Sequence, residues 1–132
     1  MSDNPMATPM ATHGAPSWIE HRGQDGPAAR AFYEKVLGWT IAELPMKDGS
    51  TYHGIMLGET PVGGFSSAPA EQGGWISYIT VDDVDARFAA ALEAGAAALQ
   101  EPFSVPGVGR IASFRDPAGA TLALITYESQ QG

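Results

Sequence analysis

The sequence predicts an α+β fold made from two copies of one βαβββ module, and three observations carry that prediction. The first is an internal repeat. Displacing the 132-residue chain by 57 positions lays Trp18 on Trp75, Ile19 on Ile76, Asp25 on Asp82, Ala29 on Ala86, Arg30 on Arg87 and Gly38 on Gly95. These identities fall without a gap, and self-similarity at a fixed displacement marks a duplicated supersecondary unit. The second is the same order of periodicities in each half, short strand-like runs around one helical run. The third is punctuation: 16 Gly and 10 Pro supply breaks for many short elements.

In the first half, Ser17–Arg22 reads as a strand led by Trp-Ile. Asp25 is placed to cap a helix, with Pro27 in the first turn, where a missing N–H costs nothing. Ala29, Phe32, Tyr33, Val36 and Leu37 recur at three- and four-residue spacing, so Ala28–Leu37 is a helix, closed by Gly38. Trp39–Leu44, Thr51–Leu57 and Pro61–Ser66 are strands separated by the turn residues of 45–50 and 58–60. After a Ser-, Ala-, Pro- and Gly-rich linker, Ser67–Gly74, the order returns. Trp75–Val81 is a strand, Asp83–Glu93 a helix ended by Gly95, and Ala96–Glu101, Arg110–Arg115 and Ala120–Tyr127 are strands. Asp116-Pro117-Ala118-Gly119 joins the last two as a turn. The modules span about 17–66 and 75–127 of one domain at 17–127. Residues 1–16 are expected to be a flexible tail, with His13 solvated, and 128–132 a C-terminal tail.

Composition restricts function. The chain is 44% hydrophobic and 17% charged, enough apolar material for a core. Seven Lys+Arg against fifteen Asp+Glu give a net charge of −8, which opposes binding to nucleic acid or an anionic membrane. No apolar run is long enough to span a bilayer. The absence of cysteine excludes disulfides, thiol catalysis and cysteine metal ligation. No secretory signal pattern opens the chain, so a cytoplasmic location is expected. There is no phosphate-binding Gly-x-x-x-x-Gly-Lys loop and no Gly-x-Ser-x-Gly elbow. Asp82, Asp83 and Asp85 form a carboxylate cluster at a helix start, where caps and the helix dipole account for them.

Certain phrases resemble the vicinal-oxygen-chelate superfamily, which contains glyoxalase I, bleomycin-resistance proteins and extradiol dioxygenases. They are Ala31-Phe32-Tyr33-Glu34-Lys35-Val36-Leu37-Gly38-Trp39, Val62-Gly63-Gly64-Phe65, Val81-Asp82-Asp83-Val84-Asp85-Ala86, Val105-Pro106-Gly107-Val108-Gly109-Arg110 and Asp116-Pro117-Ala118-Gly119-Ala120. The resemblance implies two modules side by side, forming a half-open curved sheet around a cavity, and a homodimer. Its enzymes hold one divalent ion by side chains of the first and last strands of each module. Those places fall near Trp18, near Trp75 or Ile76, around Gly64 to Ser66, and at Ala123, none of which offers a suitable donor. No metal and no cofactor are therefore expected.

Trp18 and Trp75 stand where the resemblance implies that side chains face the cavity. With Trp39, Tyr52 and Phe114 they form an aromatic set whose alternative role is core packing. Glu20 shares a strand face with Trp18, and His21 takes the opposite one. His53 is placed to reach inward from the third strand, and Arg110 either reaches the pocket mouth or forms a surface ion pair. The expected function is metal-independent binding of an aromatic or cationic small molecule by Trp18, Trp39, Tyr52, His53, Trp75, Arg110 and Phe114. The alternative is a divalent-metal-dependent lyase or dioxygenase-type enzyme, glyoxalase-like, with Glu20 as catalytic base or as a ligand beside His53. A third reading is a structural or partner-binding module.

Overall fold

A computed structural model describes residues 8–66 and 73–128. The tail at 1–7, most of the linker (67–72) and the C-terminal residues 129–132 lie outside the described residues. The chain divides into two compact units, one formed by Trp18–Ile76 and the other by the described residues up to Ser17 and from Ser77 onward.

Each unit is built on the predicted βαβββ order. The first contains β1 (Pro16–Arg22), α1 (Gly26–Leu37), β2 (Thr40–Pro45), β3 (Thr51–Leu57) and β4 (Thr60–Phe65), its strands ordered β2-β3-β4-β1. β1 runs parallel to β4, and the other neighbours are antiparallel. The second contains β5 (Gly74–Thr80), α2 (Val84–Glu93), β6 (Ala97–Val105), β7 (Gly109–Arg115) and β8 (Thr121–Tyr127), ordered β6-β7-β8-β5. Here β5 is parallel to β8, so the pairing scheme of the repeat is conserved between halves. The unit boundary cuts β1 after Ser17 and β5 after Ile76.

Local chemistry fixes the helix ends. The Asp25 carboxylate accepts the Ala28 N–H at 3.0 Å, and Gly38 ends α1 at φ 71°, a left-handed conformation that glycine takes without strain. The cap of α2 is Asp83, which accepts from the Ala86 N–H at 3.1 Å. The repeat overlay pairs Asp25 with Asp82, so the cap has moved by one residue, and Asp82 instead receives Arg87 Nε at 2.9 Å. β6 also outruns its predicted end at Glu101, because it is a terminal strand of its sheet order. There a proline such as Pro102 removes no needed ladder bond, and register shifts on either side of Gln100 absorb the irregularity.

Within the expected tail, the described residues 8–15 make backbone hydrogen bonds of their own. Pro9–Ala11 forms a single 3-10 turn. The Gly14 N–H then donates to the Thr80 carbonyl at 2.7 Å, and the Thr80 N–H donates to the Ala15 carbonyl at 2.9 Å. His13 is exposed, as expected, and its Nδ1 also accepts the Asp82 N–H at 3.0 Å. Backbone groups at the end of β5 need partners, and this segment provides them.

The two helices are buried unequally. In the second unit, α2 inserts Val84 (2% exposed) and Phe88 (6% exposed) against Val81, Ala112 and Leu124. In the first unit, Ile55 and Phe65 are buried, but α1 buries no residue fully. It rests on the sheet through Tyr33, whose ring lies 5.5 Å from Trp39 and 5.4 Å from Trp75. His21 completes this cluster, 5.1 Å from Phe65 and 5.0 Å from Trp75. Phe32 on the outer side of α1 is 57% exposed. Among the described residues no helix is long and apolar enough to cross a membrane.

Two outcomes follow from this packing. Phe88→Ala will destabilise the protein by about 3–5 kcal/mol through cavity formation, whereas Phe32→Ala will change stability by no more than about 0.5 kcal/mol. Urea unfolding measures both, and equal losses would contradict the assignment of the core. Burial also pushes the His21 imidazole below its ordinary value of 6.5, because the charged form loses solvation. The unfolded chain then takes the proton more readily than the native one. The stability tied to neutral His21 is thus complete above pH 6.5 and is lost as pH falls through that value. Between about pH 7.5 and about pH 5.5, His21→Phe will lose less stability than the parent; parallel losses would contradict this.

Candidate functional site

The polar centre of the first unit is built across three strands. Side chains alternate along β1, so Trp18, Glu20 and Arg22 share one face and His21 projects to the other, toward Tyr33. β4 separates β1 from β3, and the register sets Glu20, Gly64 and Gly54 in one row across the three strands. Tyr52 of β3 extends over Gly64, where an added Cβ would run into its ring. At Gly54 an added Cβ would come within 2.6 Å of Leu44 Cδ1. The two glycines therefore keep the middle of this face low, and Tyr52 can reach strand β1.

A directed line of hydrogen bonds results. Trp18 Nε1–H donates to Tyr52 Oη at 3.3 Å, and Tyr52 Oη–H donates to Glu20 Oε1 at 3.2 Å. Arg22 Nε donates to Glu20 Oε2 at 2.9 Å. Each carboxylate oxygen thus has a partner, and the Glu20 side chain is only 14% exposed. The Trp18 and Tyr52 rings lie 6.3 Å apart with their planes inclined by 30°, in the range of favourable aromatic pairs. The Arg22 charge balances that of Glu20. Chemically the face offers aromatic surface, an oriented phenol and a paired carboxylate.

The donor set of this face does not fit the divalent ion that the resemblance implies. Glu20 has both oxygens engaged, and among the described residues no group of three His, Cys, Asp or Glu side chains stands together. Of the other places implied, Gly64 lies under Tyr52 and Phe65 is in the core, while Ala123 pairs with Tyr78 and brings no donor atom.

Strand parity distributes the expected site residues over two faces. His53 follows Tyr52 by one residue, so it turns to the opposite face, in the row of Glu43, Phe65 and His21. Glu20 and His53 are therefore not neighbours. Trp75 was expected to match Trp18, but it packs with His21, Tyr33 and Trp39 on the α1 side, its Nε1–H donating to Tyr33 Oη at 3.4 Å. Trp39 belongs to the same cluster. Phe114 packs against the core beneath α2. Arg110 forms the ion pair that was one of its two expected roles, with Nε 2.6 Å and Nη2 2.9 Å from the two Asp85 oxygens, and Nη1 3.1 Å from Ser104 Oγ. The Arg110 hydrogen bond, with its charge, holds the Asp85 carboxyl below its usual range. Of the predicted set, Trp18, Glu20 and Tyr52 come together. Arg22 was missed, although its place two residues beyond Glu20 on the same strand face was a usable signal.

Comparison with known proteins agrees with the architecture. Residues 16–124 match the family model of the Glyoxalase/Bleomycin resistance protein/Dioxygenase superfamily. CFP32 of Mycobacterium tuberculosis, which carries a provisional glyoxylase name, is 35% identical over 127 residues, covering 95% of this chain and 49% of its own length. The anthracycline biosynthesis protein DnrV of Streptomyces peucetius is 28% identical over 127 residues, with 84% of this chain and 46% of that protein covered. The chain thus spans about half the length of these relatives. Methylmalonyl-CoA epimerase from Mycobacterium tuberculosis has a similar fold, with a TM-score of 0.61 at 14% identity over 91% of this chain and 93% of that one. With the duplicated βαβββ order and a family match over most of its length, the chain belongs to the glyoxalase/bleomycin resistance protein/dioxygenase superfamily.

Proposed function

We propose that this chain binds a planar aromatic small molecule on the face formed by Trp18, Glu20 and Tyr52, without a metal ion. The observation that carries this reading is the Trp18–Tyr52 ring pair, held in place by the hydrogen-bonded line to Glu20. Ring surface whose polar edges are already satisfied can take a flat ligand without stranding a donor or acceptor. The pairing of Arg22 with Glu20 cancels the local charge, which favours the aromatic over the cationic class of ligand. The name of DnrV, an anthracycline biosynthesis protein, points in the same direction, toward planar aromatic chemistry.

A second reading is favoured by the glyoxylase name of CFP32. In it, Glu20 takes a proton from a carbon next to a carbonyl, and Tyr52 orients the carboxylate.

Both readings have direct tests. A panel of planar aromatic compounds, titrated by calorimetry, will give saturable binding, and Trp18→Ala will weaken it about fivefold, the worth of one aromatic contact. Trp75→Ala will leave affinity nearly unchanged. The absence of saturable binding, or an equal loss in the two variants, would contradict the first reading. For the second, Glu20→Gln will abolish turnover of a hemithioacetal while the far-ultraviolet circular dichroism stays native; undiminished turnover removes Glu20 from the chemistry.

A further inference from the structure

The second unit contains a partly buried chain of hydroxyls that the preceding reading does not use. Thr80 Oγ1 donates to Ser17 Oγ at 2.8 Å, and Ser17 Oγ lies 2.7 Å from Tyr127 Oη. Thr80 is buried, while Ser17 and Tyr127 are partly so. Three hydroxyls carry three protons, and the two bonds between them use two. One O–H must point elsewhere. If Ser17 donates to Tyr127, Ser17 Oγ accepts one bond and gives one, Tyr127 Oη accepts one, and the remaining proton sits on the Tyr127 phenol. If Tyr127 donates instead, Ser17 Oγ accepts twice and holds the spare proton itself. The first arrangement distributes the bonds evenly and puts the outward donor on the larger, partly accessible side chain.

We propose that this Thr80–Ser17–Tyr127 chain is a second ligand contact, whose outward O–H donates to a neutral carbonyl oxygen of a small molecule. The surroundings fit that chemistry. Tyr127 sits on the sheet face opposite the α2 core, the face that also carries Ile111 and Ile125 in one cross-strand row with Thr80. A hydrogen bond in apolar surroundings is stronger than one in water. Across β7 the register partner of Tyr127 is Gly109, which has no side chain to cover the ring, and an added Cβ there would strike the backbone of Thr126 and Tyr127. Burial raises the phenol above its ordinary value of 10.0, outweighing the Ser17 hydrogen bond, so Tyr127 stays a donor at neutral pH. Arg110, which follows Gly109 on β7, is held by Asp85, and the chain carries a net charge of −8. Both facts favour a neutral carbonyl over a carboxylate.

The test uses the full chain with acetophenone labelled at its carbonyl carbon, and ethylbenzene as the matched probe without the oxygen. Bound acetophenone will show a carbonyl stretch moved to lower wavenumber in the infrared. Tyr127→Phe will remove that shift and weaken acetophenone about fivefold, the range of one neutral hydrogen bond, while ethylbenzene binds both proteins equally. Ser17→Ala keeps the phenol but removes the oxygen that feeds it, so the shift will persist at reduced size. This variant carries the test if Tyr127→Phe does not fold. The shift will also survive Trp18→Ala, which separates this contact from the Glu20 face. No saturable acetophenone binding, an unshifted stretch, or a shift that disappears in Trp18→Ala and persists in Tyr127→Phe would overturn the proposal.

Discussion

Tyr52 reaches Glu20 across an intervening strand, and that crossing depends on the absence of a side chain at Gly64. β3 and β1 are not neighbours; β4 lies between them. An ordinary residue at position 64 would stand where the Tyr52 ring now lies. With glycine there, the ring spans β4, its hydroxyl lies between the indole of Trp18 and the carboxylate of Glu20, and Arg22 closes the line from the same strand. Glycine in a strand interior weakens the strand itself, and it is retained where another group must approach the backbone closely. The Val62-Gly63-Gly64-Phe65 phrase serves both needs of this unit: Gly64 opens the polar face, and Phe65 fills the core on the other.

The two modules share a topology but have diverged in what they bury. In the second, α2 drives Val84 and Phe88 into an aliphatic core. The first uses aromatic edges instead, with His21, Tyr33, Phe65 and Trp75 in mutual contact and Phe32 left outside. Ion pairs diverge in the same way. Glu20–Arg22 sits on a shielded sheet face, while Asp82–Arg87 and Asp85–Arg110 lie at the exposed start of α2, where solvent screens them and little stability follows. A partly shielded, directional arrangement is what a binding face needs, and the first unit holds its polar groups in that way.

The architecture was legible because it rests on local signals. Asp25, Pro27 and Gly38 bracket α1, and the Asp116–Gly119 turn joins β7 to β8, each through interactions within a few residues. The side-chain set was only partly legible because it rests on strand parity and on partners distant in sequence. A displacement of one residue turns a side chain to the other face, which is why a set grouped from sequence mixes Trp18 and Glu20 with His53 and Trp75 of the opposite face. The contact between Tyr52 and Glu20 joins positions 32 residues apart. Nothing local announces it, and its enabling residue, Gly64, reads in sequence as one more glycine in a glycine-rich chain.

Gly64 permits a coupling between Tyr52 and Glu20. A double-mutant cycle with Tyr52→Phe and Glu20→Gln, followed by urea unfolding, measures it directly. A coupling of about 1–2 kcal/mol is expected for a hydrogen bond to a charged, shielded acceptor, and it should fall to nearly zero when the same cycle is run in the Gly64→Ala background. Additive effects in the parent protein, or a coupling that survives Gly64→Ala unchanged, would contradict the claim.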